Sequence, residues 1–315
     1  MSRGTARPRK PKALVNGSRI ALIAPASPAD GEKMSKGLQE LGRLGFLIAG
    51  CAPAAPEAYF SSSGSKRRKE FLCAIADPGV AGLIALRGGY GSTYLLDESF
   101  PAGLRKPKCL VGYSDITSLQ ICLWRQFRWI TFYGPMVAAG FHAGAGRPGG
   151  YDEASFLRAV RESACGWSLD LQGEAMRTGE AKGRLLGGCL TLIETSVGTP
   201  WQLETRGAIL VLEDRGMKPW QVDRALMHLN QAGLFAGVRG ILLGEFPECE
   251  PPVAGSWSVA DVCRRLLGPI GIPVVWGARV GHTTRPMLTL PLGVNARLLA
   301  RGAGTLEILE PAVVA

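Results

Sequence analysis

From residue 18 onward, short apolar runs alternate with amphipathic stretches. RIALIAPAS reads as a buried strand, DGEKMSKGLQELGRLG as a helix ending at Gly45, and FLIAGCAP as the next strand. SKRRKEFLCAIADP is a helix stopped by Pro78, and VAGLIALRGGYG is a strand running into a glycine loop. KCLVGYSDITSLQICLWRQ reads as strand, sharp turn and helix. Such alternation builds right-handed βαβ units on a parallel sheet, and these sheets bind ligands beyond the carboxyl ends of their strands. The pattern predicts an α/β fold whose residues 18–145 form an N-terminal parallel-sheet domain. Residues 146–182, around the glycine-rich HAGAGRPGGYDE, are expected to be a linker. Residues 183–315 switch to short strands, GRLLGGCLTLIETSVG, GAILVLED, GILLGEF and IPVVWGARVGH among them. One helix lies in their midst, with Val222, Leu226 and Leu229 at helical spacing. This half is expected to be a smaller, strand-rich α/β domain.

Composition agrees with a globular chain and narrows the rest. Of 315 residues, 46% are hydrophobic and 20% charged, so a sizeable core can be buried. The 42 glycines and 21 prolines point to many tight turns. The formal charge of +10 is unevenly spread: Arg3, Arg7, Arg9, Lys10 and Lys12 open the chain without an acid among them. Residues 1–17 are therefore expected to be a basic disordered leader. No aromatic residue interleaves with those charges, so nucleic-acid binding is not expected. Eight cysteines are scattered with no C-x-x-C pair, which fits reduced core residues in the cytoplasm. No run is long enough to cross a bilayer, and no metal or other cofactor is expected, because no His/Cys/Asp cluster has ligand spacing.

Ser114 sits on the corner between the CLVG strand and the helix that follows. A serine on such a corner has its Oγ pushed out of the sheet, and the Asp115 N–H beside it is free for an oxyanion. Ser and Asp are equally ordinary helix caps, so the corner alone fits either role. The glycine loop Arg87-Gly88-Gly89-Tyr90-Gly91 could aim further N–H groups at an anion or simply turn the chain. A serine nucleophile needs a base, and the chain holds only His142, His228 and His282. His282, at a strand-to-loop boundary, suits that role better than His142 in the glycine-rich stretch or His228 within a helix. The orienting carboxylate could come from Glu213 or Asp214 at the end of AILVL, or from Glu245 in GILLGEF. For Glu213, a salt bridge to Arg215 or Arg224 is the structural alternative.

Taken together and in order, IALIAPAS, DPGVAGLIALRGGYGSTYLLD, LVGYSDITSL, GRLLGGCLTLIETSVGTPW, ILVLED and PVVWGARVGHT resemble the LD-carboxypeptidases, serine peptidases that cleave murein peptides. The resemblance spans about 18–309. It implies a Ser–His–Glu triad on Ser114, His282 and Glu213, with an oxyanion hole from the amides of Gly88 or Gly89 and of Asp115. It also implies an N-terminal Rossmann-like domain and a C-terminal strand-rich domain with the site between them, homodimers, and a murein tetrapeptide losing its terminal D-alanine. Arg87, Tyr90 and Trp220 are the expected substrate contacts. Where the family often carries a Glu-Pro-Tyr-like segment, this chain reads MKPWQVDR. Two other readings use the same fold: a microcin C immunity-type hydrolase of aminoacyl-nucleotide amides, and a non-catalytic muropeptide-binding protein.

Overall fold

The computed structural model describes residues 7–50, 56–96, 100, 101, 104 and 106–315. Its first sheet grows from the alternating half of the sequence. Strands β1 (Arg19–Ile23), β2 (Leu47–Ile48), β3 (Gly82–Ala85), β4 (Cys109–Gly112) and β5 (Thr131–Tyr133) run parallel in the order β2-β1-β3-β4-β5. Their connections hold α1 (Gly31–Arg43), α2 (Gly64–Ala76) and α3 (Thr117–Phe127). Asp30 caps α1 by accepting from the Lys33 N–H at 2.9 Å, and Ser63 caps α2 from Lys66 at 3.4 Å. Ile20, Leu83, Ile84, Val111 and Phe132 are completely buried, which explains why these strands read as unbroken apolar runs. In this order the winding reverses between β1 and β3, and a crevice opens there at the carboxyl edge.

The stretch expected as a linker is instead structured. It contains α4 (Glu153–Arg161) and two strands, β6 (Trp167–Asp170) and β7 (Glu174–Arg177). Asp152 caps α4 from the Ser155 N–H at 2.8 Å, and Phe156, Ala159 and Val160 bury its apolar face. The glycines that suggested a linker only turn the chain into this helix.

The second sheet is the larger one. Strands β8 (Gly179–Cys189), β9 (Ala208–Glu213), β10 (Gly240–Gly244) and β11 (Val274–Ala278) run parallel at its centre. Strand β12 (Leu290–Leu292) leaves this half and pairs antiparallel with β5 of the first sheet. Strands β13 (Asn295–Ala300) and β14 (Thr305–Ile308) then close an eight-stranded order, β6-β14-β13-β8-β9-β10-β11-β7. Helices α5 (Leu190–Thr195), α6 (Pro219–Gln231) and α7 (Val259–Leu267) complete this half. Two of them were illegible as helices: LTLIET continues an apolar strand run, and α7 is announced only by its Ser258/Asp261 capping box. One apolar cluster, including Leu83, Val111, Tyr133, Ile209 and Leu298, runs continuously through both sheets.

The basic N-terminal stretch is also corrected by the structure. Residues 1–6 lie outside the described residues, but 7–17 are fastened to the fold. The Arg9 N–H donates to Arg128 O at 2.7 Å, Ala13 N–H to Val314 O at 2.7 Å, and Leu14 N–H to Val160 O at 2.8 Å. Leu14 has no exposed surface. The charges misled because Leu14, just beyond them, is what packs. Leu14→Ala is expected to lower unfolding free energy by about 2–4 kcal/mol in a urea titration, whereas a disordered leader would show no change.

Candidate active site

The carboxyl edges of the two parallel strand sets face one another, and the sequence candidates come from loops there. Ser114 follows β4 and opens a short 3-10 turn that leads into α3. Its φ is +61°, the left-handed region that costs a non-glycine residue about 1 kcal/mol or more. Neither Ser114 nor Asp115 is a helix cap by its side chain: α3 has no side-chain cap bond. That removes the structural alternative for the corner.

Asp115 serves a different structural purpose. Its buried carboxylate accepts the Ser92 N–H at 2.8 Å, while Ser92 Oγ donates to the Asp115 carbonyl at 2.5 Å. This double clasp ties the end of the glycine loop to the Ser114 corner. Burial raises the Asp115 pKa, against the lowering effect of the Ser92 bonds and the Arg67 charge. Gly88 then lies so close to Ser114 that an added Cβ would sit 2.8 Å from Ser114 Cβ and 3.0 Å from its Oγ. Only glycine fits. The same hypothetical atom is 3.4 Å from the Asp115 nitrogen, so the Gly88 backbone and the Asp115 amide flank one small space next to Oγ.

The facing half supplies an acid–base pair. Glu213 ends β9 with no exposed surface, and its Oε2 accepts from His282 Nδ1 at 2.8 Å and from the His282 backbone N–H at 2.8 Å. Tyr133, at the end of β5, donates its hydroxyl to Glu213 Oε1 and receives the Ser114 N–H at 3.4 Å. A buried carboxylate without such partners would cost several kcal/mol. With Nδ1–H committed to Glu213, the other ring nitrogen of His282 is left as the acceptor. The loop carrying His282 approaches Glu213 closely because residue 281 is glycine. There φ is +64°, and a Cβ would fall 2.3 Å from Glu213 Cδ. The His282 ring packs edge-on against Tyr113, the residue before Ser114, at 5.0 Å. No hydrogen bond joins Ser114 Oγ to the ring, a looseness common in sites without ligand.

Electrostatics set the ring's titration. Burial pulls the His282 pKa down, but the charge and hydrogen bond of Glu213, with Asp214 behind, carry it above its ordinary value. Asp214 does not touch the ring. It accepts from the Thr191 N–H at 2.8 Å, the Thr191 hydroxyl at 2.7 Å and the Arg215 N–H at 2.7 Å, and burial raises its pKa first, Glu213 second. Glu245 receives the Thr284 N–H at 3.1 Å and pairs with Arg285, so it anchors the loop after His282. Arg215 pairs with Glu248 rather than Glu213. The other histidines lie elsewhere: His228 faces Glu194 at 3.1 Å, and His142 accepts the Gly140 N–H at 3.3 Å.

Among the expected substrate contacts, Arg87 and Tyr90 stand on the glycine loop. Arg87 donates to Pro28 O at 3.2 Å, and Tyr90 is held through its N–H to Ser27 Oγ at 3.2 Å. Trp220 begins α6 and lines a hollow with Pro219, Asp223 and Trp257; neither Ser114 nor His282 lines it. Sequence reasoning missed Tyr133, although it ends a short apolar strand where a hydroxyl must find a partner. Among the described residues, no group of three His, Cys, Asp or Glu side chains could hold a metal ion.

The comparisons fit this architecture. Residues 20–134 match the LD-carboxypeptidase N-terminal domain and residues 182–298 the C-terminal domain. The chain belongs to the LD-carboxypeptidase family, a family of peptidases. It is 31% identical over 293 residues to a "Probable murein peptide carboxypeptidase" of Bacillus subtilis, covering 92% of this chain and 91% of the relative. It is 29% identical over 306 residues to the microcin C7 self-immunity protein MccF of Escherichia coli, covering 86% and 87%. The crystal structure of muramoyltetrapeptide carboxypeptidase from Oxalobacter formigenes superposes with a TM-score of 0.82 at 28% identity, over 93% of this chain and 99% of that one.

Two measurements check the geometry without any substrate. With only three histidines in the chain, ring resonances can be followed by NMR, and His282 is expected to titrate above the ordinary value of about 6.5. Glu213→Gln removes the charge that raises it, so burial then takes the value below about 6.5. Tyr133→Phe leaves Glu213 Oε1 without its donor and is expected to cost about 1–3 kcal/mol of stability.

Proposed function

We propose that the chain is a serine LD-carboxypeptidase of the cytoplasm that removes the terminal D-alanine from murein tetrapeptides during cell-wall recycling. The observation that carries this reading is the Glu213–His282 pair, held by a direct hydrogen bond at 2.8 Å on the loops opposite Ser114. Family membership and the murein-directed names of its relatives support the choice of substrate.

In this mechanism the acceptor nitrogen of His282 takes the Ser114 hydroxyl proton as Oγ attacks the carbonyl joining the L-configured diamino-acid centre to D-alanine. The tetrahedral oxyanion falls in the space flanked by the Asp115 amide and the glycine-loop amides of Gly88 and Gly89. Each such donor is worth about 100–1,000-fold in turnover. His282 then returns the proton to the leaving amine as the carbon–nitrogen bond breaks, releasing D-alanine. Water then attacks the acyl carbonyl as the same ring takes its proton, and the ring passes that proton to Ser114 Oγ as the ester bond breaks. Glu213 keeps the ring oriented and balances its positive charge. The reaction so written uses no metal or cofactor. The reading includes a homodimer, which light scattering of the purified protein tests.

The deciding assay follows D-alanine release from a murein tetrapeptide. Wild-type protein is expected to release it, and Ser114→Ala to lose at least about 1,000-fold in kcat. Equal release by both would overturn the mechanism. An aminoacyl-sulfamoyl adenylate serves as the second substrate: hydrolysis of that compound in place of the tetrapeptide would favour the immunity-type reading. The rate should also follow His282. Because only the neutral ring accepts a proton, kcat/KM is expected to fall as pH drops through a midpoint above about 6.5, and Glu213→Gln shifts that limb to lower pH.

A further inference from the structure

We propose that the exposed tyrosines beside the glycine loop, Tyr59, Tyr90 and Tyr94, form a subsite for the sugar ring that precedes the peptide of a muramoyl substrate. The inference rests on the tetrapeptide reading of the Ser114 site.

Large aromatic side chains normally bury most of their surface, yet these three are 60%, 48% and 44% exposed. They are not scattered. The Tyr90 ring lies 5.9 Å from Tyr59 and 6.1 Å from Tyr94, and all three surround Phe60 at 4.4–5.9 Å. A contiguous exposed apolar patch of this kind marks a binding surface.

The platform is firmly built. Phe60 lies over the buried Arg67 guanidinium at 4.6 Å. That guanidinium donates to Ser62 O at 2.9 Å, to Gly91 O at 2.7 Å and to Pro25 O, so it ties together the loops that follow β1, β2 and β3. Tyrosine rings held in this way offer an apolar face with a polar tip at the edge. A pyranose matches both, with C–H groups on its faces and hydroxyls around its rim.

The platform stands beside the Ser114 site, because the loop that carries Tyr90 is the one packed on Ser114. Gly88 packs on Ser114, and the Tyr90 Cα can lie no more than about 7 Å from that of Gly88. The Tyr59 ring is a further 5.9 Å from that of Tyr90. A tetrapeptide that loses its last residue places three residues ahead of the scissile carbonyl, at most about 11 Å of extended chain. The muramoyl group begins there. The Tyr90 backbone is therefore no farther from Ser114 than an extended tripeptide reaches, about 11 Å.

The test compares muramoyl-tripeptide with free tripeptide, the products that remain after D-alanine leaves, by titration calorimetry. Wild-type protein is expected to bind the muramoyl form about tenfold more tightly, and the Tyr59→Ala/Tyr90→Ala variant to lose that preference. Equal binding by the wild type, or a preference surviving in the variant, would overturn the subsite. In turnover, the ratio of kcat/KM for muramoyl-tetrapeptide over free tetrapeptide should fall about tenfold in the same variant. A loss confined to an aminoacyl-sulfamoyl adenylate would overturn the sugar in favour of a nucleobase. Product binding needs no turnover. If the wild type releases no D-alanine yet prefers the muramoyl product, the hydrolase reading falls and the subsite stands.

Discussion

The buried carboxylate of Glu213 is the constraint around which the two halves of this molecule are arranged. A carboxylate without solvent must have every strong partner in place, and the chain supplies three hydrogen bonds from two directions. His282 comes from the loop after β11, giving both a ring and a backbone N–H. Tyr133 comes from the first sheet, and its hydroxyl also meets the Ser114 N–H. A single carboxylate is therefore linked by hydrogen bonds to the base candidate on one side and to the nucleophile corner on the other. Any relative shift of the two sheets would strip it of a partner, so its burial holds the halves in register.

The covalent path of the chain reinforces that register. Strand β12 crosses from the second half to pair with β5, immediately beside the strand that ends in Tyr133. The Cys189 N–H at the end of β8 donates to Thr117 Oγ1 at the start of α3, a 3.1 Å bond between the halves next to Ser114. The N-terminal stretch adds Leu14 and backbone bonds to both Val160 and Val314. These ties make the crevice a product of the entire fold, not a seam between two independent bodies. That matters for the reaction proposed above, in which Ser114 and His282 come from different halves, since each ångström of misplacement is costly in rate.

Much of this was legible in the residues, and the parts that were not have physical reasons. Buried parallel strands are continuous apolar runs, so β1, β3 and β4 announced themselves, as did helices with capped starts such as α1. Helix α5 did not, because LTLIET is as apolar as the strand it follows, and only the end of β8 separates them. The stretch 146–182 looked like a linker since its glycines precede the capped helix α4 and hide it. Spacing could nominate Ser114, Glu213 and His282 but could not choose between Glu213, the last residue of β9, and Asp214 just beyond it. Only their partners in the fold separate them: Glu213 bonds to His282 and Asp214 to Thr191. Tyr133 escaped notice because a tyrosine in an apolar run is ordinarily core, and only the partner of its hydroxyl reveals more.

The left-handed backbone of Ser114 connects these observations. Serine has no local reason to adopt that conformation, and a glycine there would relieve it at once. The conformation persists because the surroundings over-determine it: Gly88 on one side, the Ser92–Asp115 clasp behind, and Tyr133 at the amide. The first two come from the glycine loop and the third from the end of β5, and each lies where a larger residue or an apolar one would break it. Strain stored in this way at a corner facing a Glu–His pair is what a preorganised nucleophile requires, since the work of placing Oγ is done during folding. A helix start needs no such arrangement, and that asymmetry separates the chemical reading of the corner from the merely structural one.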